Sequence, residues 1–160
     1  MPLMHEKNLR GEALSIAVVC SRFNEVVTER LLKGALAALA QCGVHDDAIE
    51  VARVPGAFEI PLAAECFARS GRFDAIVCLG AVIRGETAHF EFISSSVIDE
   101  IGSIQVRHDV PIALGILTPN TVDQGLARAG GTHGDKGREA SETAIEMANL
   151  VKAIRGDDQS

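Results

Sequence analysis

Residues 75–89, AIVCLGAVIRGETAH, set the fold class of this 160-residue chain. The run 75–81 is short and apolar throughout, which is typical of a strand buried on both faces. After Gly85 the pattern changes to that of a long helix, which we expect to reach about residue 106. A buried strand that leads into a helix is the unit from which parallel sheets are built.

The same unit recurs on either side of this stretch. Apolar runs predict strands over residues 14–20, 49–54 and 112–117. Helical periodicity predicts a helix from Asn24, as its capping residue, to about residue 41, and others over 58–68, 121–129 and 138–154. This alternation predicts an α/β fold, a flavodoxin-like three-layer sandwich with a four-stranded parallel sheet flanked by helices.

The chain is expected to form a single domain over residues 13–155. An N-terminal arm (1–12) and a tail (156–160) are expected to be flexible. The arm is polar and long enough to reach a neighbouring subunit and add a strand to its sheet, which would cover an exposed edge.

Composition argues against several kinds of partner. A net charge of −7 without any run of Lys or Arg disfavours nucleic acid and membrane surfaces. The N-terminus has no apolar leader segment and no run is long enough to span a bilayer, so we expect a cytoplasmic protein. The four cysteines form no C-x-x-C pair, and no glycine-rich nucleotide motif is present, so neither a metal nor a nucleotide is expected.

Unusual residues follow each predicted strand. They form the segments SRFN (21–24), PGAFE (55–59), GAVIRGETAH (80–89) and LTP (117–119). Ligands of open parallel sheets bind beyond the carboxyl ends of the strands. We therefore expect these four segments to meet at one site.

The segment from Gly85 to His89 carries the most chemistry. A glycine before a helix lets backbone N–H groups face an anion, with the Thr87 hydroxyl beside them and the Glu86 side chain turned away. A plain helix start with an acidic residue in its first turn is the alternative interpretation. His89 can move a proton near neutral pH, although a lone histidine also occurs as a structural residue.

Other candidates also have two interpretations each. Phe23 either stacks on a flat heterocycle or packs under the first helix. Glu59 either accepts hydrogen bonds from a ligand or stabilises a helix N-terminus. Arg128, with Lys136 as a second cation, either binds a phosphate or belongs to a charged helix junction.

Six segments in this order and spacing resemble the lumazine synthase family: SRFN, VPGAFEIP, CLGAVIRGETAHFE, PIALGILT, RAG and GDKGREASETAIEMANL. The resemblance covers about residues 16–151. It implies a transferase that condenses 5-amino-6-ribitylaminouracil with 3,4-dihydroxy-2-butanone 4-phosphate to 6,7-dimethyl-8-ribityllumazine, the penultimate step of riboflavin biosynthesis. It also implies small-molecule substrates, no cofactor, no metal and a functional link with riboflavin synthase.

The resemblance assigns roles to individual residues. The pyrimidine substrate would be held by Phe23, Ala57, Phe58, Glu59, Ala81, Val82, Ile83 and Leu114, and the butanone phosphate by Glu86, Thr87 and Arg128. His89 would transfer protons. Lys136 and Glu139 would support the phosphate site, Glu139 by fixing the Arg128 side chain. In the family, a neighbouring subunit supplies the positions of Leu114 and Arg128.

Two positions depart from the family pattern. Leu114 stands where Phe is common, which thins one wall of the ring pocket, and Asp135 replaces a frequent Asn, which adds a negative charge near the phosphate. The resemblance implies a homo-oligomer, a pentamer, and the compact segment 128–137 favours assembly of pentamers into a hollow icosahedral shell. A flavin-binding or shell-forming relative without this activity is the alternative.

Overall fold

Four parallel strands form the central sheet of the computed structural model, which describes residues 1–157. They lie side by side in the order β2-β1-β3-β4. Their bounds are β1 (Ile16–Ser21), β2 (Ile49–Val54), β3 (Ala75–Ala81) and β4 (Ile112–Leu117). This parallel order confirms the predicted flavodoxin-like α/β fold.

Five helices cover the two faces of the sheet. They are α1 (Glu25–Gln41), α2 (Ile60–Ser70), α3 (His89–His108), α4 (Val122–Ala127) and α5 (Lys136–Arg155). Alternate residues of β1 and β3 enter two separate cores, one shared with α1 and α5 and the other with α2 and α3. Both strands are therefore apolar at every position except Ser21 and Gly80. The bounds of β3 are those predicted, whereas β1 begins at Ile16, two residues later than predicted.

The helix bounds differ from the prediction where local turns intervene. Ala57–Glu59 form a 3₁₀ turn, so α2 begins two residues later than predicted, with Pro61 in its first turn. Helix α5 begins at Lys136, two residues earlier than predicted, because the Asp135 carboxylate accepts a hydrogen bond from the Arg138 N–H at 3.1 Å.

A small hairpin precedes α5 and was not predicted. It consists of β5 (Ala129–Gly131) and β6 (Gly134–Asp135), which pair antiparallel. Gly130 and Gly134 both have positive φ, at 91° and 92°. The glycines that mark a break in the sequence therefore supply the left-handed backbone of this turn.

The end of the N-terminal arm is bound to its own chain. The Asn149 amide on α5 donates to the carbonyl oxygens of Asn8 and Arg10, each at 3.0 Å, and Gly11 N–H donates to the Cys42 carbonyl at 2.8 Å. No segment of the arm forms a strand in the single described chain. Of the predicted tail, residues 158–160 lie outside the described part.

Candidate active site

The loops that follow β1, β2 and β3 enclose a cleft at the carboxyl edge of the sheet. Its volume is about 260 Å³. Nine of the predicted site residues line it: Phe23, Ala57, Phe58, Glu59, Ala81, Val82, Ile83, Thr87 and His89. The sequence therefore located this cleft, while Asn24, Gly56, Gly85, Phe90 and Ile93 complete its lining.

Backbone hydrogen bonds extend the sheet pattern into these loops. Phe23 N–H donates to the Pro55 carbonyl at 3.0 Å, which joins the loop after β1 to the loop after β2. Val82 N–H and Arg84 N–H donate to the carbonyls of Leu117 and Pro119, at 2.9 and 3.0 Å. The cleft walls are thus held as continuations of the strands rather than as free loops.

Two exposed phenyl rings line the cleft. Phe23 is 71% exposed two residues after the buried strand β1, and Phe58 is 61% exposed within the 3₁₀ turn. The interpretation of Phe23 as a core residue under α1 is therefore wrong. Large rings left open to solvent beside a cavity are suited to pack against a flat heterocycle.

Glu59 lies between the 3₁₀ turn and α2. It occupies the capping position of α2, but its side chain makes no capping hydrogen bond. Its carboxylate folds back over Gly56, where an added Cβ would lie 3.3 Å from Oε2. The acidic group is therefore available at the cleft as a hydrogen-bond acceptor.

The turn before α3 places three of its residues against the cleft. Gly85, Thr87 and His89 line it, whereas Glu86 does not. The His89 N–H donates to Thr87 Oγ1 at 3.4 Å, and the His89 side chain is exposed. Helix α3 begins at His89, later than the predicted start after Gly85. The backbone N–H groups at the start of this helix create a local environment that favours an anion.

Arg84 is the cation nearest to this turn in sequence, and its charge is already paired. Its guanidinium donates to the Glu91 carboxylate at 2.8 Å and lies over the Phe90 ring, 5.2 Å from the ring centroid. Arg84 therefore holds the turn in place. A phosphate bound here would need a positive charge from elsewhere.

Four predicted site residues lie away from the cleft in the same chain. Arg128 lines a separate cavity of about 290 Å³ together with residues of β4 and the loop that follows it, and its Nη1 donates to the Gln124 carbonyl at 3.0 Å. Leu114 is 38% exposed on the edge strand β4. Lys136 and Glu139 lie on the first turn of α5.

The expected contact between Glu139 and Arg128 is not formed within residues 1–157. Arg128 bonds to the main chain instead, and the Glu139 carboxylate lies near Gly134, where an added Cβ would be 3.6 Å from Oε2. The Lys136 N–H donates to the Arg128 carbonyl at 2.8 Å, so the hairpin joins these two positions through the backbone.

The cysteines do not contribute reactive groups to the cleft. Cys20 and Cys78 are buried in the two cores, as the sequence predicts, and burial raises the pKa of the Cys78 thiol to about 12. Within residues 1–157 no cluster of His, Cys, Asp or Glu side chains is placed to hold a metal ion. None of the helices in this part of the chain is long and apolar enough to cross a membrane.

The parallel sheet with a cleft at its carboxyl edge, lined by three phenyl rings, a carboxylate and a histidine, defines a flavodoxin-like α/β enzyme subunit. The family model for 6,7-dimethyl-8-ribityllumazine synthase matches residues 13–152, so the chain belongs to that family. Its activity is the lumazine-forming condensation of riboflavin biosynthesis.

Proposed function

We propose that the cleft holds 5-amino-6-ribitylaminouracil and that the turn 85–89 holds the phosphate of 3,4-dihydroxy-2-butanone 4-phosphate, so that both reactants meet beside His89. The observation that carries this proposal is the shared cavity. It combines exposed rings, a free carboxylate and a histidine within one volume of about 260 Å³.

The apolar half of the cleft suits the pyrimidine. Phe23 stacks on the ring, and Ala81, Val82 and Ile83 line its other edge. The Glu59 carboxylate and the backbone of Ala57 and Phe58 meet the ribityl hydroxyl groups. A ribityl chain presents several O–H donors, which an ionised carboxylate accepts well.

The turn 85–89 suits the phosphate. Main-chain N–H groups at the start of α3 and the Thr87 hydroxyl donate to the phosphate oxygens, while Glu86 contributes through its main chain alone. The chain carries a net charge of −7, so a placed cation is needed to hold an anionic substrate. Arg128 supplies it, since Arg84 is already paired with Glu91.

These positions support a condensation in three steps. The substrate amine attacks the ketone and loses water to form an imine. Phosphate then leaves by elimination, and the second amine closes the ring with loss of another water. His89 moves protons between these intermediates and solvent. Holding two reactants together contributes the larger share, ~7–11 kcal/mol for well-oriented groups.

The site is completed by a neighbouring subunit. Leu114 and Arg128 lie on the β4 side of the molecule, outside the cleft that opens between β1 and β3. In a cyclic homo-oligomer the β4 side of one subunit would face the cleft of the next. We propose a pentamer, assembled into a hollow shell, acting in the cytoplasm.

One assay tests this proposal. Purified protein is mixed with both substrates, and lumazine fluorescence and inorganic phosphate are followed together. We expect one phosphate for each lumazine, at a rate far above that of the same mixture without protein. A protein that assembles and binds a flavin, yet releases phosphate no faster than the blank, would support the non-catalytic alternative instead.

The cleft assignment is tested by Phe23→Ala. Loss of the stacked ring is expected to weaken binding of 5-amino-6-ribitylaminouracil by about tenfold, since an aromatic pair adds ~0.5–1.5 kcal/mol beyond its buried area. Calorimetry measures the affinity. Unchanged affinity would mean that the pyrimidine binds elsewhere.

A further inference from the structure

Asn24 lies at the point where the sheet divides. Backbone pairing between β1 and β3 ends at Cys20 and Leu79. Beyond that point the β1 loop continues alongside β2, through Phe23 N–H to the Pro55 carbonyl, and the β3 loop continues alongside β4. The cleft opens in the gap between these two pairs of loops, at the switch point of the strand order.

A side-chain hydrogen bond from Asn24 crosses this gap. Its Nδ2 donates to the carbonyl oxygen of Ala81, the last residue of β3, at 3.1 Å. Residues 24 and 81 are 57 positions apart, so the bond joins the two walls of the cleft. The bond also gives a partner to a carbonyl at the end of a strand.

The backbone conformation of Asn24 directs its side chain toward Ala81 rather than toward the first turn of α1. The residue adopts the left-handed conformation, with φ 65° and ψ 49°, which is uncommon for a residue other than glycine. Asn24 is the N-cap residue of α1, as predicted, but its side chain makes no capping hydrogen bond. The Asn24 carbonyl still accepts from Val27 and Thr28 N–H, so α1 begins normally while the amide is free to reach Ala81.

We propose that Asn24 is a positioning residue that sets the width of the cleft. It fixes Phe23 on one wall at a constant separation from Ala81, Val82 and Ile83 on the other, and so preforms a slot for a flat ring. This inference rests on the proposed pyrimidine site. It assigns to Asn24 an effect on pyrimidine affinity that is transmitted through Phe23 and Ala81.

Two variants distinguish the effect of the Asn24 side-chain hydrogen bond from that of its left-handed backbone. Asn24→Gly keeps the left-handed conformation without strain but removes the amide, and Asn24→Asp keeps the shape but faces the Ala81 carbonyl with a second acceptor. We expect Asn24→Gly to weaken pyrimidine binding about three- to tenfold, the range of one neutral hydrogen bond, and Asn24→Asp to weaken it further. The KM for the butanone phosphate should change by less than about twofold.

Asp109→Gly is the matched control. Within residues 1–157 Asp109 is the other non-glycine residue with positive φ, at 54°, and it ends α3 at the opposite edge of the sheet. Its variant should alter thermal stability without altering pyrimidine affinity. If Asn24→Gly likewise leaves pyrimidine affinity unchanged in calorimetry, Asn24 is merely structural and the proposal fails.

A double-mutant cycle distinguishes this failure from failure of the proposed site. If Asn24 acts through Phe23, then Asn24→Gly should weaken binding less in a Phe23→Ala background than in the wild type. Fully additive effects would contradict that route. If Phe23→Ala alone leaves pyrimidine affinity unchanged, the pyrimidine site itself is wrong. If Phe23→Ala weakens pyrimidine binding but Asn24→Gly binds with wild-type affinity, only the positioning role is wrong.

Discussion

His89 is the first residue of α3, and its exposed side chain borders the cleft. Its main-chain N–H donates to Thr87 Oγ1, and its exposed imidazole is in contact with solvent, with which it can exchange protons. We expect His89→Ala to slow turnover by up to about 10²-fold with little change in either KM, because oriented substrates react partly without a proton carrier. Steady-state kinetics of the variant and the wild type at several pH values check this. A variant with the wild-type rate at every pH would remove His89 from the mechanism.

Arg128 is predicted to act on one substrate only. Arg128→Ala should raise the KM for the butanone phosphate about 10- to 100-fold, as expected for lost hydrogen bonds to a charged group, and leave the pyrimidine KM nearly unchanged. Arg72→Ala is the control, because Arg72 is paired with Glu50 at the other edge of the sheet, before β3. Steady-state kinetics with each substrate varied in turn measures both constants. Equal changes in the two would contradict a role for Arg128 in phosphate binding.

Cys78 gives the folded protein an alkaline limit. Its pKa rises from 9.0 to about 12 because the thiol is buried. In the unfolded chain the thiol loses its proton at lower pH than in the folded protein. The free energy of unfolding therefore keeps its full value below about pH 9 and falls as the pH rises toward 12, by ~1.4 kcal/mol for each pH unit. Urea unfolding under reducing conditions at several alkaline pH values should show this decline, and Cys78→Ala should make it shallower. The same slope in both proteins would assign the decline to other groups.

Single residues show where the sequence is ambiguous. Asn24 was correctly placed at the start of α1, but asparagine favours both helix caps and left-handed backbone, so its type does not reveal which it adopts. Asp135 was expected to matter as a charge near the phosphate. In the structure its carboxylate caps α5 through the Arg138 N–H. The Asn24 side chain bonds to Ala81, 57 residues away, and the Asp135 side chain bonds to an N–H group that is free only because α5 begins there. Residue type alone reveals neither partner.

Helices α1 and α5 pack closely because small residues face each other. The Ser141 hydroxyl donates to the Ala35 carbonyl at 3.0 Å, and a Cβ at Gly137 would lie 2.9 Å from the Leu31 carbonyl carbon. We expect Gly137→Ala to destabilise the protein by about 1–3 kcal/mol, since backbone cannot yield as a side chain does. Urea unfolding measures the change.

Gly102→Ala on α3 is the control for this packing, because a Cβ there meets nothing within 4 Å. It should stabilise the helix by about 0.5–1 kcal/mol through backbone entropy. If both alanine variants are equally stable, contact between α1 and α5 does not require a glycine at 137.

Three of the four strands of the sheet were predicted with their bounds. These are β2, β3 and β4, whereas β1 begins two residues later and ends one residue later than the predicted 14–20. The β5–β6 hairpin was missed, since it is too short for any period and its glycines indicate only a break. The start of α3 was predicted too early, because residues 86–88 have helix-compatible types but form a turn that depends on Arg84 and Glu91.

At the scale of the whole molecule, the proposed site is divided between two surfaces of one chain. The cleft at the β1–β3 switch point contains Phe23 and His89, which we propose to bind the ring and to transfer protons, and the cavity on the β4 side contains the Arg128 guanidinium. In the sequence, only the family resemblance indicates that these residues belong to two subunits. Hydrophobic periodicity within one chain does not show which surface meets another copy. Leu114, an apolar side chain that is 38% exposed on the edge strand β4, agrees with the proposal that the β4 side meets another copy.

If the site is shared between subunits, two impaired variants should recover activity when they are mixed in one oligomer, which a site within a single chain does not allow. His89→Ala removes a group from the cleft, and Arg128→Ala removes one from the β4 side, so a mixed oligomer contains some sites in which neither change is present. When the two variants are unfolded together in equal amounts and refolded, about a quarter of the sites should combine an intact His89 with an intact neighbouring Arg128 in a cyclic oligomer. Activity at low butanone phosphate should then rise to about that fraction of the wild type, well above either variant refolded alone. Native mass measurement on the same samples checks that pentamers or shells have formed. If mixed oligomers form and activity stays at the average of the two variants, each subunit contains its own complete site, and an active monomer would lead to the same conclusion.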